Sequence, residues 1–285
     1  MLDRIRDDKG LMGRTHAVSA LTVSLLIIAF LPTFMQETIL QTDDFLILIS
    51  SIFVVVGMSM WPDFDNSKST AISTFGILGI AISKAMRSFA ILVYSLVHSR
   101  KDDPTPNPHR SFWHTLVSAI FLGFIIILTT SIPGEITLPI LDKNVAISFL
   151  TAIIWIFISI KLALAGLFGN EIKKIKNKGI IYQISSNLVA LAFSISILIV
   201  SPGDLTYRWI AYSAILGYII HILGDTMTTA GTPLLWPIKH RGKRWWDYRI
   251  FGFKAGGTVE NLIVFPTLVI LTLLSCAKII YTFIQ

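Results

Sequence analysis

The chain has 285 residues, 53% of them hydrophobic and 14% charged, with a mean hydropathy of +0.70. Soluble domains carry roughly 25% charged residues, so this composition excludes a soluble globular protein and requires an integral membrane one. The net charge of +7 would point to nucleic acid in a soluble chain, but here the positive-inside distribution of Lys and Arg accounts for it and no nucleic-acid partner is expected.

Residues 1–14 carry Arg4, Arg6, Lys9 and Arg14 against Asp3, Asp7 and Asp8, and an apolar run over 17–35 follows. No small-residue cleavage site closes that run, which reads as an uncleaved first span with His16 at its charged end. The next loop holds Glu37, Asp43 and Asp44 without Lys or Arg, and so belongs outside. A second span over 45–60 returns to WPDFDNSKS. There Asp63, Asp65, Ser67 and Ser69 alternate like the opening of a calcium loop, but Lys68 stands where that loop needs Gly and Thr74 where it needs Glu. An Asp-rich helix cap is the structural alternative.

Residues 71–98 are long enough to span, yet Lys84 and Arg87 interrupt them near the middle, and a charge at mid-bilayer costs a few kcal/mol. A crossing would also put Arg100, Lys101 and Arg110 outside with the acidic loop. The expectation is an amphipathic helix, interfacial or re-entrant, that does not cross. Three prolines break the loop SRKDDPTPNPHRSFWH after it. Spans then follow over 115–132, 145–168, 180–200, 209–223 and 262–284. Between them lie acidic outer turns (Glu135 and Asp142; Asp204) and basic inner ones (Lys173, Lys174, Lys176 and Lys178; Lys239 to Lys254).

The expected fold is an all-α polytopic integral membrane helical bundle with about seven spans plus one interfacial or re-entrant amphipathic helix. It forms one domain over residues 1–285. The N-terminus is inside and the C-terminus outside the cytoplasmic (inner) membrane.

Residues 218–237, YIIHILGDTMTTAGTPLLWP, end an apolar helix in groups that suit a site. His221 and Asp225 are four apart, on one helix face, and Gly231, Pro233 and Pro237 stop the helix beyond them. A single His–Asp pair is more often a hydrogen-bonded pair than a ligand set. Here, however, the topology set by Lys and Arg puts His16, Asp63, Asp65, His109, His114, His221, Asp225 and Glu260 all on the cytoplasmic side. Imidazole with carboxylate oxygen suits zinc, or manganese or iron. The one cysteine, Cys276, lies in the last apolar segment and excludes both a disulfide and a cysteine zinc site. So many donors exceed one four-coordinate ion, which implies one to three ions or supporting partners among them. Paired ions suit phosphoester hydrolysis. Arg110 and the cluster of Lys239, Arg241, Lys243 and Arg244 could hold a phosphate, with positive-inside charge as the plainer explanation. No nucleophile elbow, Walker loop or H-E-x-x-H motif is present.

Taken in order, His16, WPDFDN at 61–66, HRSFWHT at 109–115, IHILGDTMTTAG at 220–231 and GTVE at 257–260 resemble the YdjM-like (LexA-regulated) membrane-bound metal-dependent hydrolases. That family's pattern runs from an early His through LPDxDH, HRGxTHS and GHxxxDxxTxxG to TGSxxE. Asn66, Ser111, Trp113 and Ile220 depart from it. The family is in turn similar to zinc-dependent phospholipase C and related single-strand nucleases, whose H-x-x-x-D pair is matched by His221 and Asp225; the histidine of their H-x-x-x-E pair is replaced here by Gly256. The resemblance implies a hydrolase of a phosphoester or other ester of a lipid or small amphiphile at the cytoplasmic face, among membrane lipids. Its metal would be held by His16, Asp63, His109, His114, His221, Asp225 and Glu260, with Asp65 and Arg110 as catalytic groups. The alternative class is a non-enzymatic transporter or scaffold.

Overall fold

A computed structural model describes residues 12–31, 44–66, 69–103, 109–138, 143–174, 179–200 and 207–284. The described helices are α1 (Gly13–Ala29), α2 (Asp44–Met58), α3 (Thr70–Phe75), α4 (Ile77–Val97), α5 (Leu116–Thr130), α6 (Ile147–Lys174), α7 (Gly179–Val200), α8 (Arg208–Thr226) and α9 (Phe265–Ile284). One-turn 3₁₀ segments occupy Pro62–Asp65 and Phe112–His114, and a π turn, Glu260–Val264, opens α9. Long apolar segments take this form because a helix satisfies its backbone groups internally where no water can.

Among the described residues, four helical stretches are long and apolar enough to cross a membrane: Phe45–Asp65, Ile77–Val97, Ile147–Gly169 and Glu260–Thr282. Gly13–Ala29, Leu116–Thr130 and Ile184–Ile197 are shorter apolar helices. This is a helical membrane bundle, with a span count among the described residues coarser than the seven expected. Ile77–Val97, expected to be long enough to span yet not to cross, does have the length and hydropathy of a crossing helix. It is nonetheless two-faced: Gly79, Ser83, Met86, Ala90 and Tyr94 are buried at helical spacing while Lys84 is exposed. The turn expected at Glu135 is a small antiparallel hairpin, with β1 (Glu135–Leu138) paired to β2 (Lys143–Ala146), so the fold is not wholly α. Asp142, Asp204, Lys176 and Lys178 lie outside the described residues.

Helix α2 is central, packing on α6, α8 and α1. Small residues permit these approaches, as they do where helices meet without a hydrophobic driving force. A Cβ at Gly57 would overlap the Ser159 carbonyl of α6, and one at Gly217 would overlap the Val55 carbonyl of α2. One buried cluster, including Val54, Met58, Ile126, Ile156 and Tyr218, fills the space between α2, α5, α6 and α8. A second, including Ala17, Met60, Phe64, Met86 and Trp113, lies under the two 3₁₀ turns. Helix α9 packs mainly on α1, where Thr22 Oγ1 and Thr272 Oγ1 are 2.8 Å apart.

Candidate metal centre

The candidate residues sit at helix ends: His16 in the first turn of α1, Asp63 and Asp65 in the turn after α2, His109 to His114 before α5, and His221 and Asp225 in the last turns of α8. Packing brings these ends together. The close contact at Gly217 lets α8 lie against α2, and one turn later His221 Nδ1 meets the Ser59 carbonyl at 2.7 Å. Ser59 Oγ reaches the His16 carbonyl at 3.4 Å, and the His16 and His221 rings stack at 3.8 Å. The second 3₁₀ turn is fixed from below, because Tyr218 Oη donates to the Trp113 carbonyl at 2.6 Å and Trp113 Nε1 donates to the Met86 carbonyl at 2.7 Å.

Among the described residues three groups of ligand atoms result, each within 4.8 Å: His16, His221 and Asp225; Asp63, His114 and His221; Asp65, His109 and His114. They share His114 and His221 and so form one continuous row. His16, His114 and His221 are wholly buried, Asp65 and Asp225 nearly so. Asp63 is half-buried and the His109 side chain 15% exposed, which puts the open side of the row at these two.

A carbonyl only accepts, so Nδ1 of His221 carries a proton, and in the neutral ring Nε2 presents its lone pair. Nε2 stands 3.4 Å from His114 Nε2 and 3.6 Å from Asp225 Oδ2, and Asp225 Oδ2 is also 3.4 Å from His114 Nε2. Neither ring nitrogen of His16 makes a hydrogen bond, although Nε2 lies 3.3 Å from Asp225 Oδ1. Electron-rich atoms held together in a dry interior are stabilised by a cation. The charges agree. Three carboxylates less the Arg110 guanidinium leave two formal negative charges, before any charge on the imidazoles is counted. The donor set, nitrogen and oxygen without thiolate, fits zinc and also manganese or iron.

Asp65 orients the third group. Its Oδ1 is 2.6 Å from His109 Nδ1 and its Oδ2 3.3 Å from His114 Nδ1. At His109 burial opposes the imidazolium, but the charge and hydrogen bond of Asp65, with the charge of Asp63, outweigh it and hold the pKa above its ordinary value. At His114 burial prevails over the same carboxylate and holds the pKa below.

Arg110 is not the solvated inner-loop charge that its sequence context suggests. It is buried, at a left-handed φ of 60°, a conformation that costs a non-glycine residue about 1 kcal/mol or more. Its Nη2 lies 3.3 Å from Asp225 Oδ2, and Nη1 donates to the Gly231 carbonyl at 3.0 Å and to Thr228 Oγ1 at 3.3 Å. Thr228 Oγ1 in turn donates to the Asp225 carbonyl at 2.8 Å. The T-x-x-G stretch after Asp225 thus positions the guanidinium, a role for Thr228 and Gly231 that sequence reading missed; so, too, was the Ser59 carbonyl. The signal for Thr228 and Gly231 was their spacing from Asp225; a backbone carbonyl such as that of Ser59 leaves none.

Glu260 stands apart from the three groups. It is buried, and its two oxygens accept from the Met12 amide at 2.8 Å and the Gly256 amide at 2.6 Å, tying the start of α1 to the turn before α9. Of the second basic cluster, Lys243 is 3.8 Å from Asp103 and the Arg244 amide donates to Asp102 at 2.9 Å; neither residue is in the row.

A family model for the YdjM inner membrane protein matches residues 11–283. The chain belongs to this family. Among curated proteins and among solved structures nothing matches it. The family's inner-membrane location and the helical bundle agree, and every residue of the row lies within the matched region.

Proposed function

We propose that this YdjM-family protein is a membrane-bound metal-dependent hydrolase that cleaves a phosphoester or other ester of a lipid or small amphiphile at the cytoplasmic face. The observation that carries the reading is the row of three His/Asp groups joined through His114 and His221, at one end of an apolar bundle. Its members would hold the ion or ions: His16, His221 and Asp225 at one end, Asp65, His109 and His114 at the other, and Asp63 between. A divalent ion bound there supplies Lewis acidity, bringing the pKa of water toward about 7 and stabilising charge on the leaving oxygen.

The chain's own groups do the rest. Asp65 fixes the orientation of His109 by accepting from its Nδ1, and its second oxygen faces His114 Nδ1, so both rings are held toward the row. Arg110 offsets the charge of Asp225 and keeps that carboxylate in one pose. Burial of the remaining members keeps bulk water from the row, and the opening at Asp63 and His109 admits the ester. A lipid substrate suits ligands at helix ends, since a headgroup reaches them while its chains stay in the leaflet.

The test is hydrolysis of a panel of phospholipids and isoprenoid and sugar phosphates by metal-replete protein. Activity should need the ion and fall by roughly 10²–10⁴ in Asp63→Asn or Asp65→Asn, which change charge and keep shape. If nothing in the panel is hydrolysed while both variants still complement a deletion, the carboxylates are structural and a scaffold or transporter takes the hydrolase's place.

A further inference from the structure

Helix α4 has 21 residues and is about 30 Å long, yet its neighbours from first turn to last belong to the end of the bundle that holds the His/Asp row. Gly79 packs on the Ile72 carbonyl of α3, and α3 starts at Thr70 beside Gly13 of α1 and Gly169 of α6. In the middle, the Met86 carbonyl accepts from Trp113 Nε1 at 2.7 Å, and Phe89 stacks on Phe121 near the start of α5 at 6.0 Å. In the last turns Tyr94 lies 5.2 Å from Trp245, and the Val97 carbonyl accepts from Arg244 Nη1 at 3.0 Å. Trp245 in turn stacks on Trp236, which meets Phe112 of the second 3₁₀ turn. A crossing helix would carry one of its ends to the far side of the bilayer; α4 instead runs along the row's end. Its start is the deeper part, since Phe75 just before it lies 5.5 Å from Lys161 Nζ.

With Gly79, Ser83, Met86, Ala90 and Tyr94 buried, two flanks of different chemistry remain. At helical spacing Leu78, Ala85, Phe89, Leu92 and Leu96 share one flank, and all are exposed. The other carries both of the helix's charges, Lys84 and Arg87, between Ile80 and Ile91; α4 has no Asp or Glu to balance them. Leu78 and Leu96, near opposite ends of the apolar flank, are 60% and 73% exposed, so that flank is uncovered along the whole helix. A helix with an apolar flank beside a basic one lies in the plane of a membrane interface, the first against acyl chains and the second at headgroup level. The two uncompensated cations make an anionic headgroup the favoured neighbour, each worth about 1 kcal/mol near such a surface.

We infer that α4 is an in-plane interfacial helix that docks on an anionic lipid leaflet, with the flank from Leu78 to Leu96 against acyl chains and Lys84 and Arg87 against anionic headgroups. Because α4 packs on both 3₁₀ turns, which hold Asp63, Asp65 and His114, the headgroups it gathers lie beside the row. This docking surface is separate from the row and stands whether or not the row is catalytic.

Orientation is tested by power-saturation EPR on the full-length protein in lipid nanodiscs, with Cys276→Ser and one nitroxide at Leu78→Cys, Lys84→Cys or Leu96→Cys. All three side chains are exposed, so labelling leaves the packed face intact. Leu78 and Leu96 stand about 27 Å apart along the axis. In plane, both labels should collide with oxygen, and the label at Lys84, between them, with a water-soluble nickel chelate. A crossing helix gives the reverse, with Lys84 deepest and the two ends at opposite headgroups, and would overturn the inference. The charge is tested with a bimane at Ser88→Cys, quenched by phosphatidylglycerol or phosphatidylcholine carrying a doxyl group near the head. Phosphatidylglycerol should reach half-quenching at about one fifth of the mole fraction, and Lys84→Gln with Arg87→Gln should remove the difference. Lys84→Gln alone, at an exposed position, should reduce it and serves if the double variant does not fold. Equal quenching by the two lipids while Lys84 and Arg87 are present would overturn the inference, as would a full preference retained in either variant.

Discussion

His114→Ala should cost the protein more metal than His16→Ala, although both residues are wholly buried imidazoles. His114 belongs to two of the three ligand groups and His16 to one. Removing His114 leaves only His16, His221 and Asp225 whole, whereas removing His16 leaves both groups that contain His114. Structural zinc sites bind with about 10–16 kcal/mol over some four ligands, or roughly 2.5–4 kcal/mol per ligand, so each affected group should lose about 10²–10³ in affinity. Equilibrium dialysis at buffered free zinc, followed by elemental analysis, reads both stoichiometry and affinity. Thermal unfolding in detergent checks that each variant is folded. A His114→Ala protein with wild-type stoichiometry and affinity, or a His16→Ala protein that loses more, would refute the row as described.

Gly217→Ala should lower the unfolding midpoint by the equivalent of about 1–3 kcal/mol, because the new methyl overlaps the Val55 carbonyl. It should also weaken metal retention by moving His221 from Ser59; unchanged stability would mean that α2 and α8 are not in close contact. Arg110→Gly removes the strain of a 60° φ yet should destabilise the protein by roughly 3–5 kcal/mol, since a buried Asp225 loses its guanidinium. A variant as stable as wild type in thermal unfolding would show that this pair is not formed. Asp102 is buried, which raises its pKa, but bonds from the Ser99 amide and hydroxyl and from the Trp245 and Arg244 amides prevail and hold it below its ordinary value. A depressed carboxylate stabilises above its unfolded pKa of about 3.9 and ceases to as pH falls through the lower folded value. The stability gap between wild type and Asp102→Asn should therefore be full at pH 7 and shrink below about pH 4; a gap that does not vary with pH would contradict those bonds.

That the row's His and Asp residues meet at one end of the bundle was legible in the sequence, where such residues recur at the ends of apolar segments. The expectation that they share one side came from the Lys and Arg of the loops, a choice in which the His and Asp residues played no part. What a residue does within the buried end was not legible. Arg110 reads locally as one more inner-loop cation, and only the tertiary path of residues 228–231 brings acceptors and Asp225 to its guanidinium. Glu260 has the residue type and position of a ligand, but backbone amides of Met12 and Gly256 take its oxygens, and no pattern in side-chain types reveals where an amide points. The hairpin at 135–146 was hidden for a similar reason. Its four-residue strands are too short for alternation to outweigh the apolar helices on either side. In Ile77–Val97 the two charges weighed against a crossing; length and hydropathy alone would allow one, but Asp65 before the helix and His109 after it lie 2.6 Å apart at the same end of the bundle.

The most direct test of the central claim is X-ray absorption at the metal edge of protein purified from cells supplied with zinc, manganese and iron. The row predicts stoichiometric metal with imidazole nitrogen at about 2.0–2.1 Å and carboxylate oxygen at about 2.0–2.2 Å, without sulfur. It predicts as well that His221→Ala with Asp225→Ala, which touches two of the three groups, reduces the imidazole signal. Protein that retains none of these metals, or a metal whose spectrum lacks imidazole and is unchanged in the double variant, would contradict it.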